Sequence, residues 1–125
     1  MKESYNLVFD DETNIESHSG TEIDGGKLVL GGGTQGVMTT SAKGLGFTAS
    51  SYEFRILGEQ LLLCEIKMSL DNGINYSDWH NLESEKNTVL TDAVAGSSVK
   101  FQIRLNSNTT ILKPQLDAIA VYVKE

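Results

Sequence analysis

The sequence predicts an antiparallel β-sandwich of about eight strands, formed by a single domain over residues 1–125. Three observations lead to this fold class. Apolar and polar residues alternate in several short segments, glycine-rich turns separate those segments, and no stretch keeps a helical period. The chain length of 125 residues agrees, because a sandwich of this kind needs roughly 100 residues.

Three segments show the alternation most clearly, at residues 52–56, 62–70 and 99–105. In each of them an apolar side chain falls on every second residue, and the residues between are polar with the exception of Leu63. One face of each strand is therefore expected to be buried and the other to meet water. The residues predicted to fill the core are Cys64, Ile66, Met68, Phe101, Ile103 and, from the last strand, Val121.

Weaker alternation predicts further strands at residues 6–9, 27–30, 37–40 and 88–90. One helical turn is the most that residues 83–86 would form. The glycine-rich residues 31–36 satisfy the pattern G-x-G-x-x-G, which in dinucleotide-binding proteins opens a helix. Because the β-branched residues 37–40 that follow are typical of a strand, the glycines are interpreted as a connection between strands.

The last strand, predicted over residues 116–123, is apolar on both faces. One face is that of the core residue Val121, and the other carries Ala118, Ala120 and Tyr122. A sheet in a sandwich has one inner face, so the second apolar face needs a cover. Either other parts of the same chain provide it or a neighbouring subunit does. In the second case Ala118, Ala120 and Tyr122 are interface residues.

The most specific local feature is the segment SLDNGINY at residues 69–76, which resembles the Asp box, S-x-D-x-G-x-T-W. In that motif the serine and aspartate side chains hold a tight turn, and glycine supplies a positive φ. The expected turn residues here are Ser69, Asp71 and Gly73. We interpret them as structural; a ligand-binding role is the alternative.

Trp79 follows the turn and is the single tryptophan of the chain. Beside polar residues it could stack on a sugar ring, or it could close one end of the sandwich as a core residue.

Several carboxylates lie in or beside predicted turns, where sandwich loops can gather them around calcium. No segment has the spacing of an EF-hand loop, so solvated turn residues are the simpler interpretation, and no cofactor is predicted. The calcium candidates are Asp10, Asp11, Asp24, Asp71 and Asp78.

The charge balance argues against nucleic acid as a partner. Seventeen acidic residues face ten basic ones, and no segment concentrates lysine and arginine, the residues that neutralise phosphates. The same negative charge argues against direct insertion into an anionic membrane.

The sequence shows no catalytic signature, and we predict that the chain is not an enzyme. His18 and His80 have no metal-ligand spacing, and neither a G-x-S-x-G elbow nor a P-loop is present. A pair of Cys64 and His80 is conceivable, but Cys64 falls on an apolar strand face, where a thiol is inert. A small hydrolase is accordingly the least favoured class.

The expected location is a host cytoplasm or a virion. The first residues lack the apolar core of a secretory signal, and the apolar run at residues 61–64 is too short to span a bilayer. The lone cysteine excludes an internal disulfide, which suits a reducing compartment.

Three stretches together resemble a phage pattern: S-x-D-x-G followed by tryptophan at residues 69–79, F-x-I-R-L at residues 101–105, and P-x-L-x-x-I at residues 114–119. They are similar to β-sandwich proteins of prophage lytic cassettes, of the XepA/YomS type in its short single-domain form. The similarity covers residues 62–123, about half of the chain.

The resemblance implies a sandwich similar to calcium-dependent membrane-binding domains, assembled into ring-shaped pentamers. It implies no catalytic residues, and the toxicity known in that family belongs to its longer, two-domain member.

Together, these observations predict a non-enzymatic structural or lysis-accessory module of a phage or prophage that acts as a ring-shaped homo-oligomer and contacts a phage or cell-envelope component. The alternative is a carbohydrate-binding or receptor-binding module of a phage tail apparatus, in which Trp79 would take part.

Overall fold

The structure, a computed structural model, describes residues 1–82, 89–107 and 113–125 and consists of two antiparallel β-sheets. The predicted β-sandwich is therefore confirmed. The described residues form eleven strands: β1 Lys2–Val8, β2 Ile15–Ser19, β3 Thr21–Asp24, β4 Lys27–Leu30, β5 Gln35–Thr40, β6 Lys43–Ala49, β7 Ser51–Glu59, β8 Glu65–Ser69, β9 His80–Asn81, β10 Gly96–Asn106 and β11 Gln115–Lys124.

The first sheet is organised around β11, which is long and central. Strand β7 pairs with β11 along nearly the whole length of β11, from Gln115 to Lys124. On the opposite side, β1 pairs with residues 118–124 and β4 with residues 115–116, so β1 and β4 lie end to end. Strand β3 pairs with β4 and forms the edge.

The second sheet is organised in the same way around β10. Strands β5 and β8 flank it, β2 and β9 form the outer edges, and β6 pairs with the first residues of β10. The two inner faces supply the core. All six predicted core side chains are buried, and Cys64, Met68, Phe101, Ile103 and Val121 are fully so.

The number of strands was underestimated, at about eight instead of eleven. Strands β2, β3 and β9 lie at sheet edges, where backbone pairing persists although the side chains are largely polar, so alternation did not reveal them. Strand β6 was not among the predicted strands either, because glycine stands at two of its positions. Gly44 and Gly46 are exposed, while Leu45 and Phe47, on the alternate positions, pack against the core.

Two other expectations can be compared with the described residues. Residues 31–34, of which the first three are glycines, connect β4 directly to β5 without a helix, as interpreted from the sequence. Of the predicted strand at residues 88–90, Leu90 makes an isolated bridge to Tyr52, while Thr88 lies outside the described residues. The predicted helical turn at residues 83–86 also lies outside them. No helix in the described part of the chain is long and apolar enough to cross a membrane.

Candidate functional site

The outer face of the first sheet, on the side away from the core, carries the predicted interface residues. Strand registers align its side chains in rows across β1, β11 and β7: Lys2, Lys124 and Ser51; Ser4, Tyr122 and Glu53; Asn6, Ala120 and Arg55; Val8, Ala118 and Leu57. We call these twelve residues the outer face. Ala118, Ala120 and Tyr122 therefore form its central line.

This face is open in the described part of the chain, although it is partly apolar. Tyr122 is 39% exposed, Val8 56% and Leu57 64%. Ala118 and Ala120 are half-buried because larger side chains stand on the flanking strands. From the sequence, either the same chain or a second subunit could cover this face. The described residues of the same chain do not cover it.

The Asp-box-like turn has the hydrogen bonds that its sequence requires. The Ser69 hydroxyl donates to Oδ1 of Asp71 over 2.8 Å, and the Gly73 amide donates to the Ser69 hydroxyl over 2.8 Å. The backbone amide of Asn75 donates to Oδ1 of Asp71 over 2.9 Å, and its side-chain amide donates to Oδ2 over 2.8 Å. Asn72 and Gly73 both have positive φ, at 62° and 83°. One carboxylate thus closes the turn.

We expect Asp71→Ala to lower the melting temperature by a few degrees without removing any binding activity, because the turn loses its central acceptor. The matched control is Asp78→Ala, which removes an exposed carboxylate seven residues further along the same segment. Thermal unfolding monitored by circular dichroism measures both. Equal melting temperatures for the two variants would contradict a structural role for Asp71.

The turn should also weaken in acid. The backbone amide of Asn75, with further hydrogen bonds, lowers the pKa of Asp71 below its ordinary value of 3.8. Because the pKa is lower in the folded than in the unfolded chain, this stabilisation is present above pH 3.8 and is lost as the pH falls through the folded-state pKa. Asp71→Ala should abolish this part of the acid sensitivity.

Trp79 lies outside the hydrophobic core, on the outer surface of the second sheet. Its ring has the guanidinium carbon of Arg104 at 4.2 Å and the ammonium of Lys67 at 4.8 Å from the centroid. Arg104 also donates two hydrogen bonds to Glu65 on the neighbouring strand. The tryptophan is therefore a partly buried surface residue held by cation–π contacts, and it does not close one end of the core.

Sequence reasoning missed a polar cluster that joins Tyr52, Asp92 and His80. The Tyr52 hydroxyl donates to Asp92 over 2.6 Å, and Nε2 of His80 contacts the other carboxylate oxygen over 2.7 Å. Burial acts to raise the pKa of Asp92, but these hydrogen bonds outweigh it and the pKa is lowered. Because the three residues are separated in sequence and share no motif, the cluster could not be predicted from the sequence. Asp92, in the loop before β10, is thereby held against Tyr52 of β7 and His80 of β9, which indicates a structural role for the cluster.

The other titratable candidates show no catalytic arrangement. His18 lies between Thr21 at 2.8 Å and Glu12 at 2.7 Å, at a sheet edge. The thiol of Cys64 is buried, and burial raises its pKa, so the reactive thiolate is disfavoured.

The calcium candidates do not converge. In the described ranges, no three histidine, cysteine or acidic residues come together in a way that could hold a metal ion. The carboxylate of Asp71 accepts hydrogen bonds within its own turn, and that of Asp11 accepts a hydrogen bond from the amide of Thr13 over 2.8 Å. The remaining candidates, Asp10, Asp24 and Asp78, are exposed.

Comparison with known proteins gives one informative result. No family model matches the chain, and no curated protein does. Among solved structures, a family two carbohydrate esterase from Cellvibrio japonicus is similar, with 12% sequence identity and a TM-score of 0.50. The similarity covers 99% of this chain but 35% of the esterase chain. At this identity it shows a shared fold alone.

Proposed function

We propose that the chain is a non-enzymatic structural module of a phage or prophage, accessory to lysis or to the virion, that works as a homo-oligomer. The observation that carries the proposal is the open, partly apolar outer face around Ala118, Ala120 and Tyr122. Tyr122, Val8 and Leu57 are exposed on this one face, Tyr122 two rows away from the other two, and a subunit interface would bury all three.

Two further points support this function. The titratable side chains discussed above hold the Asp-box-like turn, join His80 to Asp92 or form ion pairs such as that of Arg104 with Glu65. None of these contacts places a nucleophile beside a free base. The phage setting and the ring of five subunits come from the resemblance of residues 62–123 to prophage lytic-cassette sandwiches.

Light scattering coupled to size exclusion tests the proposal. At tens of micromolar we expect a mass that is a multiple of the 13.6 kDa of one chain, because the outer face is buried between copies. A ring of five would have five times that mass. Tyr122→Ser should shift the population towards the monomer, while Tyr76→Ser, a tyrosine in the segment between β8 and β9, should not. A strictly monomeric wild-type chain would overturn the proposal.

A carbohydrate-binding or receptor-binding module of a tail apparatus is the second candidate. Trp79 favours it, because its indole lies outside the core at the surface, where an aromatic ring can stack on a sugar once Lys67 and Arg104 move aside. The similar esterase is described as acting on carbohydrate, and this sandwich corresponds to about a third of it.

Fluorescence separates the two candidates, since Trp79 is the sole tryptophan. We expect titration with soluble mono- and oligosaccharides to leave its emission unchanged, because Arg104 and Lys67 already occupy positions over the ring. A saturable change in emission, matched by calorimetric binding that Trp79→Ala removes, would favour the binding module.

A further inference from the structure

We propose that Asn72 is a latent site of spontaneous modification. In water its side-chain amide is lost, which leaves aspartate or isoaspartate at position 72, and the closed Asp-box-like turn holds this reaction back. The inference goes beyond the proposed function, because it concerns a chemical change in the turn and not the contact between subunits. The reaction needs neither an enzyme nor a cofactor.

The chemistry is that of an asparagine followed by glycine, and Asn72 is the one asparagine of the sequence with glycine after it. The backbone nitrogen of Gly73 attacks Cγ of Asn72, and the new N–C bond closes a five-membered succinimide ring. The bond from Cγ to Nδ2 breaks, so ammonia leaves with the proton of the Gly73 amide. Water then opens the ring at either carbonyl, which gives aspartate or isoaspartate. Glycine favours the attack because it has no side chain to obstruct its nitrogen.

The side chain that reacts is open to water. Asn72 is exposed at the corner of the turn, and within the described part of the chain its side-chain amide makes no hydrogen bond. Water can therefore reach Cγ, and ammonia can leave. Nothing at this end of the reaction protects the residue.

The attacking nitrogen, in contrast, is withheld by the turn. The amide of Gly73 donates to the Ser69 hydroxyl over 2.8 Å, and that hydroxyl is buried and donates in turn to Oδ1 of Asp71. A base must remove the amide proton before the nitrogen can attack, but here the N–H points at a buried hydroxyl instead of at water. The hydrogen bond therefore stabilises the unreactive amide.

The turn also restrains the movement that ring closure requires, because the nitrogen of Gly73 must be drawn to bonding distance from Cγ of Asn72. The amides on both sides of Cα of Asn72 are held in place. That of Asn72 donates to the Ser98 hydroxyl over 2.7 Å, and that of Gly73 donates to Ser69. The reaction therefore requires that the turn opens first.

Either product would disturb the packing of the turn against β10, where Gly96 approaches the backbone of Leu70 and Asp71. Aspartate at position 72 would place a second carboxylate beside that of Asp71, and like charges this close repel. Isoaspartate would add a methylene group to the main chain between the amides that Ser98 and Ser69 hold. The modified chain should therefore have a lower melting temperature.

Peptide mapping by mass spectrometry measures the conversion of Asn72 during incubation at mildly alkaline pH. The folded wild-type chain should convert at least about tenfold more slowly than the same chain unfolded in guanidinium chloride, because two hydrogen bonds must open before the attack. Equal rates in the two states would overturn the protection by the turn. An unfolded chain that keeps its Asn72 amide would overturn the site itself.

Two variants show whether the turn controls the rate. Ser69→Ala removes the acceptor of the Gly73 amide and should speed conversion in the folded chain at least about fivefold. Val121→Ala is the matched control, since it truncates a buried residue of the other sheet and lowers stability without touching the turn. Circular dichroism confirms that both variants are folded. An unchanged rate for Ser69→Ala, or an equal increase for Val121→Ala, would overturn the proposal.

Discussion

Replacement of Phe101 by alanine should remove about 3–5 kcal/mol from the free energy of unfolding, a large part of what holds a domain of this size together. Phe101 lies in the middle of β10, is fully buried and faces Met68 across the strand pair. Its ring meets that of Tyr5 edge to face, with centroids 5.5 Å apart and an interplanar angle of 69°. Truncation leaves a cavity between the two sheets and removes this aromatic contact.

Urea unfolding followed by circular dichroism measures the loss, at one fixed protein concentration because self-association would add to stability. The matched control is Phe47→Ala in β6, since Phe47 packs against the rim of the core and is only partly buried. We expect the control to lose clearly less stability. If Phe47→Ala were the more damaging substitution, the phase assigned to β10 would be wrong.

The core could be predicted from the sequence because its side chains follow a strict period of two. In β8 and β10 every second residue is apolar, and a shift by one residue would expose the whole set, so one phase alone is compatible with burial. Strands β2 and β9 could not be predicted in this way. Their places depend on backbone hydrogen bonds to a neighbour, and His80 and Asn81 carry no pattern at all.

The candidate site was predictable in part for the same reason. The second apolar face of β11 follows from alternation, which selects Ala118, Ala120 and Tyr122. The residues beside this line do not follow from alternation. Val8 and Leu57 become neighbours of Ala118 through strand registers that a single sequence does not reveal. The Asp-box-like turn was predictable because its partners lie within seven residues. The Tyr52, Asp92 and His80 cluster was not, since its members come from β7 in one sheet, β9 in the other and the loop before β10.

Gly96→Ala should destabilise the domain by about 3 kcal/mol or more, because the added methyl group has no space. A Cβ at this position would overlap the carbonyl oxygen of Leu70 and lie 2.6 Å from its carbonyl carbon and 2.9 Å from Cα of Asp71. These are backbone atoms, which cannot turn aside as the end of a long side chain can. Gly96 is the first residue of β10 and passes directly against the Asp-box-like turn.

Relief of the clash requires β10 and the Asp-box-like turn to separate at this point. That movement would break the bond from the Ser98 amide to the Leu70 carbonyl, 3.1 Å, and the bond from the Asn72 amide to the Ser98 hydroxyl, 2.7 Å. Gly46→Ala in β6 is the control, since a Cβ there meets nothing within 4 Å and alanine restricts the unfolded chain. We expect Gly46→Ala to be neutral or slightly stabilising in the same urea titration. A small loss for Gly96→Ala would mean that β10 can move away from Leu70 at little cost, and that the contact does not fix the position of the turn.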